Sequence, residues 1–139
     1  MPTDSRPRHI LAINDESTIL AIYRELLCDE GYLVTAELMP YVDIADVLAV
    51  APDLIVLDLL VGHQDSGTAF LRLLKNHPAT DHLPVLVCSA ATDHLKELED
   101  ELREWDCTVV TKPFDIDVFL GAVASCLGTK PSGVDKSAA

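Results

Sequence analysis

Short apolar runs recur along this chain, and each gives way to a polar residue. Ile10-Leu11-Ala12-Ile13 leads into Asn14 and Asp15. Leu54-Ile55-Val56-Leu57 leads into Asp58, Val85-Leu86-Val87-Cys88 into Ser89, and Thr108-Val109-Val110-Thr111 into Lys112. Such runs, two of them opened near Pro52 and Pro84, predict strands buried on both faces. Tyr32 to Leu38 predicts a further strand, second in chain order.

Between the runs the apolar spacing changes to the helical period. Ile19, Leu20, Ile22, Tyr23, Leu26 and Leu27 predict a first helix, with Gly31 placed to stop it. Pro40 to Val50 allows a short second helix. Ser66 to Asn76 carries Phe70, Leu73 and Leu74 on one side, and Pro78 ends it. Leu95, Leu98, Leu102 and Trp105 predict one continuous helix, with Glu97, Asp100, Glu101 and Glu104 outside. Val118 to Leu127 predicts the last, with Phe119, Val123, Cys126 and Leu127 inward and Gly128 at its C-cap. Strands alternating with helices predict an α/β fold, a parallel sheet covered by helices on both faces. Ligands of such sheets bind outside the carboxyl ends of the strands, near a topological switch point. With five strands in the order 2-1-3-4-5, Asp15, Asp58, Ser89 and Lys112 share that rim.

Composition narrows the function. The 139 residues suit one domain, 1–139, with a folded core at about 8–128 and polar termini at 1–7 and 129–139. A formal net charge of −13 disfavours nucleic acid and anionic membranes as partners. Cys28, Cys88, Cys107 and Cys126 form no CxxC pair and read as small buried hydrophobes in a reducing compartment. With no long apolar run and no signal-peptide core, the expected location is the cytoplasm.

The rim residues carry a definite chemistry. A carboxylate attacks an activated phosphoryl group once its charge is screened. Two neighbouring carboxylates repel, and a divalent cation relieves that while neutralising the transferring oxygens. Mg²⁺ suits a site with few carboxylates and several waters. A lysine adds a second cationic contact without fork geometry.

Four segments together resemble the receiver domain of two-component response regulators: Ile10 to Glu16, Pro52 to Leu59, Pro84 to Ala90, and Lys112-Pro113-Phe114. They occur in the family's order and spacing. The resemblance implies a flavodoxin-like (βα)5 three-layer sandwich. It implies Asp58 as phosphoacceptor, with Ser89 and Lys112 contacting the phosphoryl oxygens. It implies Mg²⁺ bound by Asp15, Asp58 and the backbone carbonyl of Leu60, with Asn14 reaching the ion at most through water. The implied phosphoryl donor is a sensor histidine kinase or phosphotransfer protein. The chain ends soon after its last helix, so the expectation is a single-domain response regulator. Its output would be contact with a downstream protein through the fourth helix, fifth strand and last helix. A homodimer is allowed.

Three departures from the family pattern bear on function. Asn14 stands where the family usually has an acid, which predicts weaker Mg²⁺ binding. Val109 stands where the family often has an aromatic, so no aromatic switch of the usual form is available. The loop from Leu59 to Gly67 lacks the usual proline and is about one residue longer. Asn14 and Val109 motivate an alternative, a receiver-like interaction module that works without phosphorylation. An enzyme is the weakest reading. A haloacid-dehalogenase-type phosphatase needs a second Asp where Leu60 stands, and Asp15-Glu16-Ser17 is unsuited to a flavin phosphate.

Overall fold

The apolar runs pair side by side as five parallel strands: β1 (His9–Asn14), β2 (Leu33–Leu38), β3 (Leu54–Asp58), β4 (Val85–Ser89) and β5 (Thr108–Thr111). The computed structural model describes residues 7–38, 43–58, 66–89, 92–112 and 115–128. The strand order is β2-β1-β3-β4-β5. Every neighbouring pair runs in the same direction, with Ile13 opposite Leu57, Asp58 opposite Cys88 and Ser89 opposite Thr111. Chain order reverses at β1, so the crevice between β1 and β3 is the switch point.

Each face of the sheet has its own helical cover. Leu20, Tyr23 and Leu27 of α1 (Ser17–Asp29) and Phe119, Val123 and Leu127 of the last helix, α6 (Ile116–Leu127), pack on Ile10, Ala12, Leu54, Val56, Leu86 and Cys88. The opposite face carries Leu11, Ile13, Ile55, Leu57, Val85 and Val87. It is covered by Val47 of α2 (Ile44–Val50) and by Phe70, Leu71 and Leu74 of α3 (Ser66–Asn76). Leu95, Leu98 and Leu102 complete that layer. Buried on both sides, β3 and β4 are apolar without alternation until their last residues.

The predicted continuous helix from Leu95 to Trp105 is instead two short ones, α4 (Thr92–Glu97) and α5 (Glu99–Glu104). At Leu98 the backbone leaves the helical well (φ −99°, ψ 5°), and its N–H donates to the carbonyl of Leu95 at 3.2 Å. Leu98 itself stays buried in the core. Neither glycine nor proline marks the break. Among the described residues the two covering layers therefore hold six helices, not five.

Caps explain the boundaries that apolar spacing left open. In α2, Asp43 and Asp46 form a reciprocal capping box, each side chain accepting the other's N–H at 3.0 and 2.9 Å. Helix α1 starts behind Glu16, whose side chain makes no cap bond. It is Asn14 Oδ1 that accepts the Glu16 N–H, at 3.1 Å. After α1, Gly31 takes a φ of 93° that other residues rarely adopt.

Two clasps position the strands. Asp53 holds the start of β1, its carboxylate accepting the His9 N–H at 2.8 Å while its own N–H donates to the His9 carbonyl at 2.7 Å. Buried Thr80 donates to the Leu74 carbonyl at 2.7 Å, and Lys75 Nζ to the Leu83 carbonyl at 2.7 Å. These bonds tie the end of α3 to the entry of β4.

Candidate functional site

Asn14, Asp58 and Ser89 end three adjacent strands, and Lys112 follows the fourth. Lys112 reaches back over β4: its Nζ lies 2.6 Å from Asp58 Oδ2. Its backbone N–H is fixed by the Ser89 carbonyl at 2.9 Å. The Asp58 side chain is 11% exposed and that of Lys112 27%. The carboxylate is therefore largely desolvated yet reachable from the rim. Ser89 is fully buried.

Asp15 lies just past β1 on the same rim and is half-buried. Leu60, and the loop from Leu59 to Asp65, lie outside the described residues, as do Ala90 and Pro113-Phe114. The structure thus joins Asp58 with Lys112 and brings Ser89 beside them through the Lys112 backbone. It sets Asn14 and Asp15 at the neighbouring strand end.

A polar cluster beneath the rim escaped sequence reasoning. Cys88, opposite Asp58 in the sheet, shares a hydrogen bond with the Tyr23 hydroxyl from α1. Tyr23 stacks on Phe119 of α6, ring centroids 4.8 Å apart and planes 19° from parallel. Burial pushes the Cys88 thiol up to about 12, against the pull of the Lys112 ammonium and the Tyr23 hydroxyl; the Asp58 carboxylate adds to the rise. Burial likewise raises the Tyr23 phenol well above its ordinary range, helped by Cys88 and Asp58. Both groups stay protonated at neutral pH. The only signal in sequence was a tyrosine on the inner face of α1, whose buried hydroxyl needs a partner.

The other cysteines divide. Cys107 and Cys126 are half-buried, with raised thiols; burial lifts Cys107 to about 11. Cys28 is exposed, so it is not the buried hydrophobe expected. It lies on the outer turn of α1, where the spacing of Leu26 and Leu27 turns it outward.

At the sheet's far edge, α4, α5 and β5 enclose an open groove of about 460 Å³. Leu95, Leu102, Cys107 and Val109 form its apolar lining, with Lys96, Glu99 and Arg103 around them. Val109 is 38% exposed there.

A parallel 2-1-3-4-5 sheet with an acid and a lysine paired across its carboxyl rim defines a class. The response regulator receiver domain matches residues 10–124, and the chain belongs to that family. It is 31% identical over 121 residues to the DNA-binding dual master transcriptional regulator RpaA of Synechocystis, covering 85% of this chain and 48% of that protein. It is 29% identical over 116 residues to a protein-glutamate methylesterase/protein-glutamine glutaminase of Anaeromyxobacter dehalogenans, covering 80% of this chain and 30% of the relative. The chain thus spans less than half the length of these relatives. In fold it is similar to chemotaxis protein CheY4 of Vibrio cholerae (TM-score 0.74, 21% identity, 87% of this chain and 99% of the other). It is also similar to a sensor protein from Polaromonas (TM-score 0.70, 23% identity, 88% and 97%). No described helix is long and apolar enough to cross a membrane.

Receiver domains are regulatory, interact with histidine kinases or phosphotransfer proteins, and generally bind Mg²⁺ for phosphorylation. Among the described residues no group of three or more His, Cys, Asp or Glu side chains could hold a metal. Asp15 and Asp58 offer hard oxygen donors, and Mg²⁺ accepts one or two carboxylates with water completing its shell. On this rim those two carboxylates are the donors whose chemistry suits such an ion.

Proposed function

We propose that Asp58 accepts a phosphoryl group from a phosphohistidine of a sensor kinase or phosphotransfer protein, and that the phosphorylated chain signals by protein contact. The observation that carries this reading is Lys112 Nζ at 2.6 Å from a strand-end carboxylate that is only 11% exposed. An Asp58 oxygen attacks phosphorus as the P–N bond of the donor breaks, and the electron pair of that bond returns to the imidazole. Lys112, already seated, shifts to a phosphoryl oxygen and offsets its charge as a point cation. The Ser89 hydroxyl donates to a second oxygen. Asp15 and Asp58 would hold Mg²⁺, which when bound neutralises the oxygens in transfer.

The groove between α4, α5 and β5 is the proposed output face, together with the neighbouring α6. Exposed Val109, Ile116 and Val118 supply apolar contact there. A single-domain regulator that works in the cytoplasm agrees with this chemistry.

Intact-mass analysis after acetyl phosphate and Mg²⁺ tests the reading. One added phosphoryl group, abolished in Asp58→Ala, is the expected result. A folded chain that gains no mass would leave the phosphorylation-independent interaction module, which Asn14 and Val109 favour.

A further inference from the structure

Asn14 carries a polar group that the described fold leaves unanswered. The residue is 1% exposed. Its Oδ1 accepts the Glu16 N–H at 3.1 Å, which fixes the orientation of the amide. The acceptor end is committed to the turn into α1. The donor end, Nδ2, is buried and has no hydrogen-bond partner among the described residues. Native interiors rarely leave such a donor unpaired, so each instance calls for a reason.

The sheet register places Asn14 beside Asp58. Ile13 lies opposite Leu57, and Asn14 and Asp58 are the next step on the two strands. Both continue the sheet face that carries Ile10, Ala12, Leu54 and Val56. Neighbouring strands run about 4.8 Å apart, within reach of one side chain. Lys112 holds Asp58 Oδ2 from the opposite side, across β4.

Resting on Asp58 as the phosphoacceptor, we propose that Asn14 Nδ2 donates a hydrogen bond to an oxygen of the phosphoryl group on Asp58. The pocket then holds a tetrahedral oxyanion between an amide on one side and an ammonium on the other. An ionised Asp in the same place would offer only acceptor lone pairs, which demand a cation before a phosphoryl oxygen can approach. Asn14 lessens that demand, with Asp15 and Asp58 still on the rim, and adds a donor. Asn14 is thus a phosphoryl-binding residue, and it lowers the dependence of phosphorylation on a divalent cation.

The test follows the Asn14 side-chain amide in isotope-labelled full-length protein by NMR, with acetyl phosphate as the donor. Its two N–H signals shift when Asp58 is phosphorylated, and they do not shift in Asp58→Asn. Asn14→Asp supplies the second measurement, because it keeps an oxygen for the Glu16 N–H and replaces the donor with an acceptor. In that variant the ratio of phosphorylation rates with Mg²⁺ and in EDTA rises about tenfold or more relative to the parent chain, the size of one charge-assisted hydrogen bond. Amide signals that stay in place while the mass reports an added phosphoryl group overturn the proposal and leave Asp58 as acceptor. A ratio within about twofold of the parent's overturns it as well. No mass gain at all overturns both this proposal and the reading of Asp58.

Discussion

Lys112 Nζ and Asp58 Oδ2 meet at 2.6 Å although their strands are not neighbours, since β4 runs between them. The contact depends on where Lys112 leaves the sheet. Its N–H is held by the Ser89 carbonyl one strand away, so the side chain starts beside the rim and crosses it. A lysine whose stem packs over a strand end while its head faces a buried carboxylate is both an ion-pair partner and a ready phosphate contact.

Replacing Lys112 separates these two roles. Lys112→Ala leaves the Asp58 carboxylate buried without its cation, which costs about 1–3 kcal/mol of folding stability. It also removes the charge that meets the phosphoryl oxygens, so acceptance from acetyl phosphate slows about a hundredfold. Lys112→Ala combined with Asp58→Asn recovers most of the stability, because no charge is then stranded, and recovers none of the acceptance. Urea denaturation and intact-mass kinetics read the two effects. A single variant as stable as the parent would show that the pair is not the constraint its geometry implies.

Stability falls on the alkaline side, through the cluster under the rim. The Cys88 thiol titrates at about 12 in the folded chain against an ordinary 9.0. Between those values the unfolded chain has released its proton and the folded chain has not, so the unfolded state binds fewer protons and stability decreases as pH rises. The contribution is fully present below pH 9.0 and is lost on the way to about 12. Cys107, raised to about 11, and Tyr23, raised above 10.0, act in the same sense. Each group adds a slope of up to about 1.4 kcal/mol per pH unit. Cys88→Ser retains a partner for the Tyr23 hydroxyl and does not titrate there, so its alkaline slope is shallower by one proton. Denaturation midpoints just below pH 9 and a unit above would reveal this, and equal slopes for parent and variant would contradict it.

The clasp between α3 and β4 rests on Thr80. It is fully buried, and its hydroxyl satisfies the Leu74 carbonyl near the end of α3. Thr80→Val keeps the shape and deletes the bond, at about 1–2 kcal/mol. The expected signature is a lower urea midpoint with an unchanged m-value, since the surface exposed on unfolding is the same. Phosphorylation at Asp58 proceeds at the parent rate, because the clasp sits at the opposite end of β4 from Ser89.

What the sequence made legible follows from what each element buries. β3, β4 and β1 beyond His9 lie between two helical layers, so each is a run of apolar residues and the polar residue ending it stands out. Parallel alternation with helices then places those polar ends on one rim, which is why Asp58, Ser89 and Lys112 could be grouped before any geometry was known. Contacts through single hydrogen bonds were not legible. The Asp53–His9 clasp, the turn from Asn14 into Glu16, and the Tyr23–Cys88 pair join residue types that are common everywhere. The break at Leu98 was hidden for a related reason: Leu95, Leu98 and Leu102 face the core in one helix or in two.

Ala51 carries backbone strain that a substitution can remove. As the C-cap of α2 it adopts φ 52° and ψ 59°, the left-handed region, and its N–H donates to the Val47 carbonyl at 2.9 Å. An L-residue there suffers a close approach of Cβ to the carbonyl oxygen, worth about 1–2 kcal/mol, which glycine escapes. Glycine also gains freedom in the unfolded chain, which offsets roughly half of that. Ala51→Gly therefore stabilises the fold by about 0.5–1 kcal/mol, keeping the Val47 bond and the Asp43–Asp46 capping box intact. The effect is read as a higher thermal midpoint. Asp106, at φ 56°, gives the control: Asp tolerates the left-handed region better than Ala, so Asp106→Gly gains less. A larger gain at Asp106 than at Ala51 would show that strain at the α2 cap is not what limits this part of the fold.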